Sequence, residues 1–155
     1  MRLPILKRLE DEVHGLQREL TMQLPQEIKR ARELGDLREN AEYHAAKERQ
    51  GLVNARIGML KKRIAELSLI NLDKLPRNKA ALGSTVHLRE STGAELVYQL
   101  VMPEDADGDK GFISTASPIG RAIVGKEEGA AVSAPTPNGV RTFELVKLIT
   151  VHDEG

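Results

Sequence analysis

The sequence predicts an α+β chain in two parts: an N-terminal antiparallel α-helical coiled-coil hairpin, then a small antiparallel β-sheet domain with one short helix. Three observations lead there. Up to about residue 71, apolar side chains recur at steps of three and four, the spacing of a helical seam rather than of a strand. Gly35 interrupts that stretch midway, as a helix-ending glycine does. Beyond Pro76, glycine, proline, valine and threonine become frequent and strand-like runs replace the seam. The boundaries read 1–75 for the coiled coil, 76–80 for a linker and 81–155 for the sheet domain.

The first arm spans residues 5–34 and is rich in Leu, Glu, Lys, Arg and Gln, all good helix formers. Leu6, Leu9, Val13, Leu16 and Leu20 alternate steps of three and four; the seam then continues as Leu24, Ile28 and Ala31. Two successive steps of four displace the register by one residue. Pro25 lies inside this irregularity. It has no N–H and its ring clashes with the preceding turn, which predicts a kink or local unwinding. The second arm runs from about 37 to 71 with Ala46, Gln50, Val53, Ile57, Leu60, Ile64 and Leu67 as its seam. Two such arms joined by a very short turn fold back antiparallel. At about 1.5 Å per residue each is on the order of 45 Å long. The expectation is a projecting rod with GDLRENAEY (35–43) at its tip.

In the second half, residues 84–89, 95–102, 112–114 and 141–151 read as strands, with STGA (91–94) and PNGV (137–140) as turns. One short helix is marked by Ser117 as cap, Pro118 in its first turn and Gly125 at its end. The acidic loop EDADGDK (104–110) invites a calcium reading. An EF-hand starting at Asp105 needs Gly at its sixth position and Glu at its twelfth, where Lys110 and Ala116 stand. A solvated turn fits better.

Lys and Arg number 23 and Asp and Glu 23 over 155 residues, which argues against a uniformly basic nucleic-acid coat. The balance hides a split. Residues 1–75 hold 15 cations against 12 anions, leaving 8 against 11 in residues 76–155. With no cysteine, disulfides and thiolate metal sites are excluded. No apolar run approaches the roughly 20 residues of a bilayer span. The expectation is a soluble, cytoplasmic monomer. The aromatics are Tyr43, Tyr98, Phe112 and Phe143, so the core is mostly aliphatic. His14, His44, His87 and His152 show no ligand spacing, and no Ser-His-Asp set or phosphate-binding glycine loop stands out.

Within GDLRENAEY, Asp36-x-x-Glu39 has the form of a capping box, and both acids suit the positive end of a helix dipole. The second reading is chemical. Two carboxylates at an exposed tip offer hard oxygen ligands of the kind Mg²⁺ takes alongside waters and phosphates. They are too few for a metal site of their own, but they can complete one that another macromolecule supplies. Arg32, Arg38 and Lys47 lie nearby in sequence and could meet phosphates. Asn40 reads as a first-turn polar residue. Tyr43 falls on roughly the face of Asp36 and is the only aromatic in the first 75 residues.

GDLRENAEYHAAKERQ (35–50) closely resembles the tip signature of the bacterial Gre transcript cleavage factors. ISTASPIGRAIVGKEEGAAVSAPTPNGVRTFELVKL (113–148) resembles the C-terminal segment of that family, and the likeness covers nearly all of residues 26–151. The resemblance implies that the sheet domain is FKBP-like and docks at the rim of the secondary channel of bacterial RNA polymerase. It implies that the coiled coil enters that channel and that the tip acids help hold the second Mg²⁺ of the polymerase and orient a water. The polymerase then hydrolyses backtracked RNA at its 3′ end; the chain is an accessory factor, not an enzyme, and binds no cofactor alone. Asp36 and Glu39 match the metal-assisting acids, and Asn40 and Tyr43 match tip positions that orient them. Arg32, Arg38 and Lys47 match basic positions that meet RNA or polymerase. Ser117, Pro118 and Ile119 match the docking edge.

The start MRLPILKRLEDE departs from the family pattern, Pro25 falls about three residues after the usual proline, and Ala116 stands where an acid is frequent. Three other readings compete: a Gre-like secondary-channel inhibitor, a prolyl isomerase and a coiled-coil chaperone. Intact Asp36 and Glu39 favour cleavage over inhibition. The scarcity of aromatics disfavours an isomerase pocket. A chaperone has no need of acids at the tip.

Overall fold

A computed structural model of the chain describes residues 2–35 and 40–153; Asp36, Leu37, Arg38 and Glu39 lie outside the described residues. Contacts divide the chain into two units. One is Leu6–Ile70; the other takes Asn71 onward together with the first five residues.

The helical unit contains α1 (Ile5–Arg18), a π-helical segment (Glu19–Gln23), α2 (Leu24–Glu33) and α3 (Ala41–Ser68). Much of the predicted seam is buried: Leu9, Val13, Leu24, Ile28 and Ala31 on the first arm, Ala46, Val53, Ile57, Leu60 and Leu67 on the second. Leu16, Leu20, Gln50 and Ile64 are half-buried. Two bidentate ion pairs join the arms. Arg56 donates to both oxygens of Glu12 at 3.1 Å, and Arg49 donates to Glu19 at 2.6 and 2.9 Å. Glu12 to Glu19 and Arg49 to Arg56 are equal steps of one heptad in opposite directions, the mark of an antiparallel register.

The predicted irregularity takes the form of a π turn. The N–H of Leu24 donates to the carbonyl of Glu19, five residues back. Such a turn absorbs one extra residue, which is what two successive steps of four require. No residue of Glu19–Gln23 is buried, and the seam is buried again from Leu24 on. Pro25 sits in the first turn of α2, where a missing N–H and a fixed φ cost least. The predicted second arm shortens to Ala41–Ser68.

The other unit is a five-stranded sheet in the order β3-β2-β1-β5-β4. Its strands are β1 (Thr85–Glu90), β2 (Glu95–Val101), β3 (Phe112–Ser114), β4 (Ala131–Thr136) and β5 (Gly139–Ile149). Two corrections to the sequence reading follow. The sheet is mixed, because β3 runs parallel to β2. After β2, two 3₁₀ turns (Pro103–Asp105 and Gly108–Lys110) carry the chain back before β3 begins, and Asp107 and Phe112 exchange both backbone hydrogen bonds to hold that loop. The second correction is β4, a fifth strand beyond the four that the sequence predicts. Pro135 disguises it; proline is tolerated there because β4 is an edge strand.

Val86, Leu88, Leu100, Val132, Phe143 and Leu145 form the core on one face of the sheet, together with Ile123 of α4 (Pro118–Ile123). A bulge makes this face continuous. Lys147 pairs with His87 but Leu145 pairs with Leu88, so Val146 is the extra residue. Strict alternation would send Leu145 and Leu148 to opposite faces. The bulge lets both pack on the core.

Two predictions arise here. A Cβ on Gly120 of α4 would sit 1.9 Å from the Ser114 carbonyl oxygen, and backbone on both sides leaves little room to yield. Gly120→Ala should cost roughly 1–3 kcal/mol, read by denaturant unfolding. The second concerns Glu19. The hydrogen bond from Arg49 is the largest influence holding its carboxyl below the usual range; partial desolvation opposes it and the charge of Arg49 adds to it. The folded value is depressed, so the pair persists as pH falls past the point where free carboxylates protonate, and is lost only below it. A carboxyl-carbon NMR titration should place the Glu19 midpoint lower in the parent chain than in Arg49→Gln.

Candidate functional site

The site read from sequence centres on the junction of α2 and α3, and the structure builds that junction around Asn40. At the end of α2, the Leu34 N–H donates to the Ala31 carbonyl at 3.1 Å, and Gly35 takes φ 128°, a conformation that favours glycine. On the other side, α3 starts at Ala41 and its N-cap is Asn40. The Oδ1 of Asn40 accepts from the Tyr43 N–H at 3.0 Å, satisfying a first-turn donor that the helix leaves unpaired. The Nδ2 of the same side chain donates to the Ala31 carbonyl. One amide therefore ties the last turn of α2 to the first turn of α3. The predicted cap, Asp36 with Glu39, lies outside the described residues, as does Arg38.

Arg32 and Tyr43 meet across the same junction. The guanidinium carbon lies 5.7 Å from the ring centroid, within cation–π range, and Tyr43 is half-buried. The His44 ring stands edge-on to it, with centroids 5.7 Å apart. Lys47 is exposed and donates to Gln50 on its own helix at 2.9 Å. The structure thus brings together Asn40, Tyr43 and Arg32 and leaves Lys47 one turn along. Glu27, Arg30, Glu42, Ala45, Ala46 and Arg49 line a groove of about 400 Å³ between the arms. Its two acids and two cations give it no net preference for either sign of charge.

Ser117, Pro118 and Ile119 lie in the sheet unit at the start of α4. The Ser117 hydroxyl donates to the Ser114 carbonyl at 2.7 Å and accepts from the Gly120 N–H at 3.1 Å, so it serves as the cap. Pro118 is exposed, and Ile119 packs against the core. Among the described residues no group of three acids or histidines could hold a metal, and no helix is long and apolar enough to cross a membrane.

Sequence reasoning named Asn40 and Tyr43 but missed what joins them to Ala31 and Arg32. The preference of Asn for helix caps was a usable signal. The bond from Asn40 to Ala31 was not readable, since it exists only once the arms fold back. Asn40→Ala should destabilise the helical unit by about 1 kcal/mol. Asn40→Asp keeps the capping acceptor but loses the donor to Ala31, and should recover more than half of that loss. Thermal unfolding and exchange of the Tyr43 amide distinguish the two.

Comparison with known proteins covers both units. Residues 5–68 match a family described as transcription elongation factor, N-terminal, and residues 75–150 match transcription elongation factor, GreA/GreB, C-term. The chain is 45% identical over 141 residues to the transcription elongation factor GreA of Desulfovibrio desulfuricans, covering 90% of this chain and 86% of that one. It is 43% identical over 145 residues to the GreA of Desulfotalea psychrophila, covering 93% and 90%. The crystal structure of GreA factor homolog 1 of Thermus thermophilus aligns with 27% identity over 93% of this chain and 94% of that one, at a TM-score of 0.42. With both of its units matched, the chain belongs to the GreA/GreB family of transcription elongation factors.

Proposed function

We propose that this chain is an accessory factor of bacterial RNA polymerase that enters the secondary channel and stimulates the polymerase's own cleavage of backtracked RNA. One observation carries the reading. Both units match a single elongation-factor family, and Asp36 and Glu39 fall in the segment that joins the two arms of the hairpin. An acidic segment borne on two long helices is suited to delivering carboxylates into a site that a globular domain cannot enter.

Asp36 and Glu39 provide hard oxygen ligands, the type Mg²⁺ takes from carboxylates while waters and phosphates fill the rest of its shell. In two-ion phosphoryl chemistry a second ion steadies the attacking and leaving oxygens. This chain holds no such ion alone; its part is to complete the polymerase's site. Asn40 supports that role by fixing the start of α3 against the end of α2. Arg32, Arg38 and Lys47 supply positive charge for phosphates of the displaced RNA 3′ end. Pro118 offers the exposed surface of the docking edge, with Ser117 and Ile119 holding it in place. The factor acts in the cytoplasm as a monomer.

The test is a polymerase complex stalled in a backtracked state. Adding the protein with Mg²⁺ should shorten the RNA from its 3′ end. Asp36→Ala and Glu39→Ala should each slow that shortening by about 100-fold, the scale for losing a preorganised electrostatic contact in a transition state, while binding to polymerase persists. Slower elongation without any shortened RNA would instead identify an inhibitor and sink the cleavage reading.

A further inference from the structure

The π turn is a weak point of the first arm. None of its five residues is buried, whereas the helix on its C-terminal side buries Leu24, Ile28 and Ala31. Its i→i+5 closure is rare in helices and occurs mostly as single-turn bulges, frequently at functional sites. Thr21 turns its hydroxyl back onto the Gln17 carbonyl at 2.8 Å, a bond that loosens and bends helices. Pro25 follows at once and gives the turn no N–H. The Met22 side chain is 62% exposed. Against these weaknesses stands the bidentate Glu19–Arg49 pair, which reaches from the first residue of the π turn to α3.

We propose that the π turn is a hinge in the first arm and that the Glu19–Arg49 pair is its catch, so that releasing the pair frees Leu24–Glu33 to move against α3. The sequence makes the hinge removable. Without Met22, the seam steps from Leu20 onward would be three, four and three, and the unbroken heptad alternation would need no π turn. Glu19 and Arg49 are then positioning residues. They act on the tip through α2, whose Ala31 carbonyl and Arg32 side chain are held by Asn40 and Tyr43. The effect on cleavage rests on the polymerase reading above; the hinge itself does not.

Amide exchange of the full-length protein tests the hinge directly. Glu19→Gln and Arg49→Gln should each speed exchange over Leu24–Glu33 by roughly two- to fivefold, the range expected for one cross-arm ion pair, and leave Leu60–Leu67 of α3 unchanged. The swap Glu19→Arg with Arg49→Glu should restore protection. A chain lacking Met22 and carrying Pro25→Ala should exchange slowly there and no longer respond to Arg49→Gln. Unchanged exchange in the single variants, or a swap that restores nothing, overturns the catch. A hinge-free chain that still responds to Arg49→Gln overturns the hinge. In the backtracked-RNA assay the single variants should lower the maximal rate by a similar factor at an unchanged half-saturating concentration. Loss of affinity instead would show that the pair contacts polymerase. If the parent chain cleaves nothing, the polymerase reading fails while the exchange data still decide the hinge.

Discussion

The packing of the first arm onto α3 is the constraint on which the helical unit depends. Val13, Leu24, Ile28 and Ala31 bury against a facing seam of Ala46, Val53, Ile57 and Leu60, and helices of this kind gain most of their stability from such a face rather than from propensity. The seam must stay buried along its length. Where the residue spacing slips by one, at Leu20 to Leu24 to Ile28, the backbone yields and not the packing. It widens into a π turn and returns Leu24 to the interface. Burying three further apolar residues outweighs the cost of one turn wider than the α-helix.

The same logic governs the sheet. Leu145 belongs to the core and Leu148 packs against it, yet they are three residues apart and a regular strand would face them oppositely. The bulge at Val146 resolves the conflict. In both units, one irregular residue lets an apolar pattern that does not match the ideal period still face inward. Glycine is also required where the backbone approaches closely, as at Gly120, which passes the Ser114 carbonyl where no side chain fits.

The junction of α2 and α3 shows how one side chain serves two helices. A helix start needs its first donors satisfied, and a helix end needs its last carbonyls satisfied. Asn40 does both with one amide. The cap of α3 is Asn40; Asp36 and Glu39, which the capping-box reading offered for that role, lie outside the described residues.

Much was legible in the residues alone. The heptad spacing determined two helical arms, the glycine at 35 marked the break, and the short helix is capped by Ser117 with Pro118 in its first turn as its residues predict. These features are local: each depends on residues within a turn or two of one another. The sequence also raised the two roles for Asp36 and Glu39 without choosing between them. The tertiary structure decided what depends on residues far apart. It made β3 parallel to β2, added β4 despite Pro135, gave the predicted kink or local unwinding the form of a π turn paired with Arg49, and gave the cap of α3 to Asn40. Each is set by a partner from another element, and no local pattern encodes which distant group a strand edge, a carboxylate or an amide will meet once the chain has folded back.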